Sequence, residues 1–235
     1  MRIVGLTPTS LVDWDGHVVS VLFVGGCNLR CPFCYNGDLA RDDPGLEEIP
    51  WQEVEPVLTR RPGFLDGAVL LGGEPMMHPE VFGLCRRIRR LGLKVKVDTN
   101  GCYPYPLKRL IEARLCDFVA MDVKAPLTEP DLKKATGVGA DPEVIRRSIR
   151  LLRESGVDYE FRTTLVPGLV GPENIAAIGA EIRGARCWAL QGYLPDNAAA
   201  ARFRELPATT SADAERLAGL AAPFAAEVRL RGKFL

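Results

Sequence analysis

Three cysteines, Cys27, Cys31 and Cys34, fall within eight positions in the stretch "FVGGCNLRCPFCYNGDL". Their spacing, CxxxCxxC, allows a single loop to wrap its thiolates around one metal centre. Four thiolates would saturate a tetrahedral zinc ion or bind all four irons of a [4Fe–4S] cube. Three thiolates leave one position open, where an iron of a cube can hold a substrate or cofactor directly.

Zinc is the alternative metal for these three thiolates. Catalytic zinc sites favour histidine and carboxylate ligands, and the two histidines, His17 and His78, share no ligand spacing. A structural zinc knuckle, completed by Cys102 or another distant thiol, is the second possibility. The remaining four cysteines do not group as the ligands of a second cluster do, and they are predicted to be core thiols: Cys85, Cys102, Cys116 and Cys187.

Composition limits the classes of partner. The chain has 235 residues, of which 47% are hydrophobic, enough for one sizeable globular domain. Thirty basic residues balance thirty acidic ones, so no net charge favours nucleic acid or an anionic membrane. No signal peptide pattern or membrane-spanning apolar run is present, which predicts a cytoplasmic protein. The odd number of cysteines, seven, argues against a disulfide framework in that compartment.

Short apolar, β-branched runs alternate with helix-like segments along the chain. Six strands are predicted, at 17–26, 67–73, 93–101, 117–124, 159–168 and 187–195. Helices are predicted near 50–60, 79–91, 105–115, 142–155, 172–184 and 210–225. This alternation indicates an α/β fold with a parallel sheet. Six such units can close part of a barrel or form an open, doubly wound sheet.

Polar and glycine-rich residues recur where the predicted strands end. Cys27 follows the first strand, "GGEP" the second and "DTNG" the third. "MDVK", "RTTLVPG" and "QGYLP" take the same position at the fourth, fifth and sixth. Because functional residues of parallel α/β folds cluster past the carboxyl ends of the strands, the sequence predicts one rim that carries all of these groups.

The combination of CxxxCxxC, an aromatic residue just before the last cysteine (Phe33) and "GGEP" after the second strand resembles the radical S-adenosylmethionine (radical SAM) superfamily. "TSLVDWDGHVVSVLFVGGCNLRCPFCYN", "LKVKVDTNG", "VAMDVKAP" and "FRTTLVP" are similar to activating proteins of glycyl radical enzymes. The likeness is greatest to the short activator of anaerobic ribonucleoside-triphosphate reductase. It implies a partial (β/α)6 TIM-like barrel in a single domain, 1–235, with a core of about 14–195 and a C-terminal extension, 196–235, packed on it.

The resemblance also assigns site residues. Cys27, Cys31 and Cys34 would bind a [4Fe–4S] cluster, whose open iron would take the amino and carboxylate groups of S-adenosylmethionine. No catalytic residue is implied beyond the cluster and this cofactor. Nine further residues are implied to contact the cofactor: Gly72, Gly73 and Glu74 at its ammonium, Thr99 and Asn100 on the third strand, Asp122 and Lys124 at its ribose and methionine portions, Arg162 at its carboxylate and Gln191 at its nucleoside.

The implied reaction is anaerobic. A reduced cluster cleaves S-adenosylmethionine to methionine and a 5′-deoxyadenosyl radical, which takes a hydrogen atom from a glycine of a partner enzyme. A flavodoxin or ferredoxin-type protein is the implied electron donor. Two alternatives remain: a radical enzyme acting on a small molecule, similar to a deazapurine synthase, and a non-enzymatic iron–sulfur or zinc module. Tyr35 follows the last cysteine where related activators often have histidine.

Overall fold

The computed structural model describes all residues, 1–235, as a chain of alternating strands and helices. Eight strands are present: β1 (Ile3–Ser10), β2 (Val19–Val24), β3 (Gly67–Gly72), β4 (Lys94–Thr99), β5 (Phe118–Asp122), β6 (Asp158–Leu165), β7 (Ala185–Gly192) and β8 (Ala225–Arg231). Nine helices are present: α1 (Gly37–Arg41), α2 (Trp51–Thr59), α3 (Val81–Arg90), α4 (Pro104–Glu112), α5 (Glu129–Thr136), α6 (Pro142–Glu154), α7 (Pro172–Glu181), α8 (Ala201–Arg204) and α9 (Ser211–Ala221). Short 3₁₀ turns cover Pro75–Met77, Pro195–Asn197 and Ala222–Phe224.

The strands follow one another in the sheet in the order of the chain. β1 pairs with β2 in antiparallel orientation, whereas β2 with β3, β3 with β4, β6 with β7 and β7 with β8 pair in parallel. The predicted fold class, an α/β partial barrel of parallel strands, is confirmed, and all six predicted strands are observed. No helix reaches the length and apolar character needed to cross a bilayer.

Two strands, β1 and β8, were not predicted, and they are the first and last strands of the sheet. β1 contains Pro8 and is only partly buried, and β8 alternates polar with apolar residues and contains no fully buried position. End strands are covered on fewer sides, so they need fewer apolar residues and give a weaker signal. Helices α1, α5 and α8 were also missed. α1 and α8 have only five and four residues, whereas α5 carries helix signals, because Thr128 caps its first turn and Gly137 ends it in the left-handed region (φ 76°).

The chain separates into two compact units. The first contains 1–28, 38–99 and 105–119, and the second contains 29–37, 100–104 and 120–235. A buried cluster of the first unit comprises Trp14, Val19, Val21 and Val69. The largest fully buried side chains of the second are Trp188, Tyr193 and Phe161. That residues 1–235 form a single domain stays a prediction.

Candidate active site

The first unit contains Cys27 and the backbone that presents it. Gly25 and Gly26 follow the end of β2, and Gly26 has a φ of 85°, in the region that favours glycine. The Cys27 N–H donates to the Ala40 carbonyl at 3.0 Å, so helix α1 fixes the start of the cysteine loop. His78 ends the 3₁₀ turn, and its Nε2 lies 2.9 Å from the Gly25 carbonyl oxygen.

Gly72 and Gly73 bring two backbone segments of the first unit into contact. Gly72 has a φ of 116°, and a Cβ there would lie 2.8 Å from the Val24 carbonyl oxygen. A Cβ on Gly73 would lie 1.9 Å from the Gly26 carbonyl oxygen. The same carbonyl accepts the Glu74 N–H at 2.8 Å. The close approach at Gly73 joins "GGEP" to the residue that precedes Cys27. The predicted contact of these glycines with the cofactor stays a prediction.

Glu74 is buried, with 1% of its surface exposed, and two donors hold its carboxylate in place. The Met76 N–H donates to Oε1 at 3.0 Å, and the Thr99 hydroxyl donates to the same oxygen at 2.7 Å. Glu74 follows β3 and Thr99 ends β4, so the parallel pairing of these strands brings the two residues together. The predicted site residues Glu74 and Thr99 therefore meet in the structure.

Replacing Thr99 with valine is expected to lower the free energy of unfolding by about 2 kcal/mol. Valine keeps the shape of threonine but removes the hydroxyl that donates to the Glu74 carboxylate. Urea unfolding of the two proteins measures the difference. Thr99→Ser is the matched control because it keeps the hydroxyl, and an equal loss in both variants would show that the bond to Glu74 is not the cause.

The second unit contains Cys31 and Cys34. The Cys34 N–H donates to the Cys31 carbonyl at 3.1 Å, which makes the loop turn between the two thiols. Cys31 is buried at 8% exposure and Cys34 is half-buried. Phe33, between them in sequence, is buried at 7% exposure. The seven cysteines form no disulfide. No three histidine, cysteine, aspartate or glutamate side chains of the structure group closely enough to hold a single metal ion.

Asp122 lies between two cations in the second unit. Lys124 Nζ donates to Asp122 Oδ2 at 2.9 Å, and Arg162 Nε donates to Asp122 Oδ1 at 2.8 Å. The backbone supports this arrangement, because the Val123 N–H donates to the Arg162 carbonyl at 2.8 Å. The predicted strand at 117–124 ends at Asp122, so Lys124 lies beyond β5 and pairs with Asp122 at the end of the strand rather than on a shared strand face. Arg162, expected at the carboxylate of the cofactor, is engaged with Asp122.

These contacts decide the charges of Asp122 and Lys124. Burial acts to raise the pKa of Asp122, but the Arg162 guanidinium and the Lys124 ammonium outweigh it and hold this pKa at about 2. Burial acts to lower the pKa of Lys124, but the Asp122 carboxylate and the charges of Cys31 and Cys34 outweigh it and raise this pKa above its ordinary value. Lys124 is thus a fixed cation that pairs with the Asp122 carboxylate.

The ion pairs of Asp122 are expected to keep their contribution to stability from pH 5 to pH 8 and to lose it in acid. A carboxyl whose pKa falls on folding stabilises the fold fully above its ordinary value of 3.8, and this stabilisation disappears as the pH falls toward 2. The measurement is the difference in unfolding free energy between the parent and Asp122→Asn at several pH values. A difference that changes between pH 5 and pH 8 would contradict the assignment.

Asn100 and Gln191 differ in their surroundings within the second unit. Asn100 is buried at 7% exposure, and its Oδ1 accepts the Cys102 N–H at 3.0 Å, so its side chain shapes the turn after β4. Gln191 is half-buried near the end of β7, in register with Thr164 and Arg231 on the neighbouring strands. Their predicted contacts with a nucleoside cofactor stay predictions.

The cysteines outside the CxxxCxxC motif are mostly core residues, as predicted. Cys85, Cys116 and Cys187 are buried, at 0%, 6% and 7% exposure. Burial raises the pKa of Cys85 and of Cys116 to about 12 and that of Cys187 to about 11. These thiols are therefore protonated and unreactive at neutral pH. Cys102 is half-buried.

Comparison with known proteins places this geometry in a family. Residues 21–176 match the model of the radical SAM superfamily. A protein of Methanocaldococcus jannaschii, named provisionally as a glycyl-radical enzyme activating enzyme, is 30% identical over 97% of this chain and 94% of its own. A 7-carboxy-7-deazaguanine synthase of Synechocystis is 30% identical over 39% of this chain and 42% of its own.

A solved structure shows the same fold. Streptococcus suis SuiB superposes with a TM-score of 0.68 over 91% of this chain, at 16% sequence identity. The chain spans about half of SuiB, 49% of its length. At this identity, the likeness establishes the fold and nothing further.

The chain belongs to the radical SAM superfamily and is an enzyme of that class. Its cofactors are a [4Fe–4S] cluster and S-adenosylmethionine, and the predicted resemblance to glycyl radical enzyme activators is confirmed. The residues fit these cofactors. Cys27, Cys31 and Cys34 would supply thiolates for three irons, and the glycines of "GGEP" leave the backbone beside Glu74 without side chains.

Sequence reasoning missed one part of the site. Gly26 both approaches Gly73 and accepts the Glu74 N–H, which makes it the backbone partner of "GGEP". The signal was available, since a glycine pair directly precedes Cys27.

Proposed function

We propose that this enzyme installs a glycyl radical on a partner protein, and that the partner is an anaerobic ribonucleoside-triphosphate reductase. The similarity to the activating relative of M. jannaschii, which extends over 97% of the chain, supports the installation of a glycyl radical. The choice of partner rests on the resemblance of the sequence motifs to the reductase activator. The similarity to the deazaguanine synthase extends over 39%. A similarity confined to 39% of the chain is expected when two proteins share cofactor-binding features but act on different substrates.

In this proposal, Cys27, Cys31 and Cys34 bind three irons and leave the fourth for the amino and carboxylate groups of S-adenosylmethionine. When bound, the reduced cluster supplies the electron that cleaves this cofactor to methionine and a 5′-deoxyadenosyl radical. The polypeptide binds and orients the reactants and keeps water away. No side chain is required to transfer a proton.

Each remaining residue has a binding role. Gly72 and Gly73 let the backbone approach the methionine portion, and the buried Glu74 carboxylate complements its ammonium. Thr99 keeps that carboxylate oriented through its hydrogen bond of 2.7 Å. Asp122, held ionised, accepts a hydrogen bond from the ribose, and Arg162 fixes Asp122 in position. Asn100, Lys124 and Gln191 complete the contacts with the methionine and nucleoside portions.

The test uses anaerobically purified enzyme with a reconstituted cluster, S-adenosylmethionine and dithionite. The partner is a reductase produced with glycine deuterated at the α-carbon, and pyruvate formate-lyase labelled in the same way is the comparison. The expected result is deuterated 5′-deoxyadenosine together with a glycyl radical signal in the electron paramagnetic resonance (EPR) spectrum of the reductase. Both products follow from one balanced step, in which the adenosyl radical gains the α-deuterium and the glycine keeps the unpaired electron.

The outcomes separate the alternatives. Deuterium transfer from pyruvate formate-lyase but not from the reductase would keep the activating function and reject this partner. Unlabelled 5′-deoxyadenosine with both proteins would reject glycyl radical installation and favour a small-molecule substrate. Absence of cofactor cleavage in every mixture would favour the non-enzymatic module.

The proposed electron donor is tested separately, because dithionite replaces it above. A reduced flavodoxin and a reduced ferredoxin are each supplied in place of dithionite, and 5′-deoxyadenosine is measured. The expected result is cofactor cleavage with at least one of the two proteins. If 5′-deoxyadenosine forms with dithionite but with neither protein, both donors are rejected.

A further inference from the structure

Part of the C-terminal region lies against the cysteine loop of the second unit. We call residues 193–209 the strap and residues 31–35, which include Cys31 and Cys34, the cluster loop. Two backbone N–H groups of the strap donate to carbonyls of the loop: Ala199 to Cys34 at 3.0 Å and Ala200 to Pro32 at 2.9 Å. The strap therefore forms backbone hydrogen bonds with Cys34 itself and with Pro32 of the cluster loop.

Aromatic side chains make the same connection. The Leu194 N–H donates to the Tyr35 phenol oxygen at 2.6 Å. The rings of Tyr35 and Tyr193 stack with centroids 6.4 Å apart, and those of Phe33 and Phe203 lie 6.5 Å apart. Each pair joins a loop residue to a strap residue. The strap thus contacts the loop on both sides of Cys34 in sequence.

The strap has an internal framework of its own. Tyr193 is fully buried, and its hydroxyl donates to the Phe203 carbonyl at 2.5 Å. The Tyr193 N–H donates to the Thr209 hydroxyl at 2.9 Å, and that hydroxyl donates to the Leu165 carbonyl at 2.8 Å. These bonds tie the strap to the end of β6, so it provides a fixed surface for the loop.

We propose that the strap is a positioning element for the iron–sulfur cluster, with Tyr193 of the strap and Tyr35 of the cluster loop as the positioning residues. A short loop with two thiolates loses conformational entropy when it binds a cluster. A loop that the strap has already ordered loses less, so the cluster is held more tightly and in one geometry. The inference rests on the proposed assignment of Cys31 and Cys34 as cluster ligands.

The decisive variant is Ala199→Pro, which removes the N–H that donates to the Cys34 carbonyl. The preceding residue, Ala198, is already extended (φ −64°, ψ 135°), as a residue before proline must be. Anaerobic loss of the cluster absorbance to an excess of chelator gives the rate of cluster release. An increase of about tenfold is expected, because the Cys34 carbonyl loses its donor.

Tyr35→Phe is the second variant, and it remains informative if the proline variant does not fold. It removes the acceptor of the Leu194 N–H but keeps the ring, so an increase of about threefold in cluster release is expected. Tyr159→Phe is the matched control, since Tyr159 is a buried tyrosine of the same unit that packs on Phe161 at 5.2 Å. This control is expected to release its cluster at the rate of the parent.

Two further measurements distinguish a role of the strap in positioning the cluster from a general loss of protein stability. The EPR spectrum of the reduced cluster is expected to change in Ala199→Pro and in Tyr35→Phe and to stay unchanged in Tyr159→Phe. Hydrogen exchange of the Cys34 amide in cluster-free protein is expected to be faster in Ala199→Pro, because the loop is ordered before the cluster binds.

The proposal is overturned if both variants keep the release rate and EPR spectrum of the parent, or if Tyr159→Phe changes them equally. None of these readings involves a partner enzyme, so failure of the proposed function leaves them intact. A Cys31→Ala protein that retains an intact cluster would instead reject the ligand assignment on which the inference rests.

Discussion

Replacing Cys31 with alanine is expected to remove the cluster and to lower 5′-deoxyadenosine formation by more than about a hundredfold. Loss of a residue that merely supports a metal ligand costs 10–100-fold, so loss of a ligand should exceed that range. Two thiolates cannot bind three irons of the cube. The measurements are the iron and sulfide content, the EPR spectrum with and without S-adenosylmethionine, and product formation with dithionite.

The matched control is Cys187→Ala in the same unit. Cys187 is also buried, at 7% exposure, but it lies on β7. This variant is expected to keep its cluster and its activity. A Cys31→Ala protein that retains the cluster, or a Cys187→Ala protein that loses it to the same extent, would contradict the proposed ligand set.

The second large effect is expected from Gly73→Ala. The new Cβ would lie 1.9 Å from the Gly26 carbonyl oxygen and 2.6 Å from its carbonyl carbon. Both atoms belong to the backbone and cannot rotate away as a side chain can. The segments that contain Gly73 and Gly26 must therefore move apart. We expect a loss of about 3 kcal/mol in unfolding free energy. We also expect binding of S-adenosylmethionine to weaken by at least about tenfold, because the Glu74 N–H bond to Gly26 is disrupted.

Gly83→Ala is the control for this substitution. Gly83 lies in helix α3 of the same unit, and a Cβ there would meet no atom within 4 Å. Alanine at this position is expected to stabilise the protein by about 0.5–1 kcal/mol through its higher helix propensity. Urea unfolding and calorimetric titration with S-adenosylmethionine are the measurements. Gly73→Ala with parental stability and affinity would show that the backbone can rearrange, and that the close approach is not required.

The sequence by itself determined the class of the protein. CxxxCxxC and "GGEP" are local patterns in which both the residue type and the spacing carry the chemistry, so they could be interpreted without coordinates. The six buried strands and six of the nine helices could also be predicted from the sequence. The strands gave a clear signal because strands covered on both faces must be apolar.

Tertiary structure decided which partners these residues have. Arg162 binds Asp122, and Thr99 binds Glu74, because strand register brings together residues that are 40 and 25 positions apart in sequence. The end strands β1 and β8 were missed because partial burial requires few apolar residues. The strap contacts the cluster loop mainly through backbone N–H groups, which every residue except proline has. Such contacts leave no trace in residue type, so only the folded chain shows them.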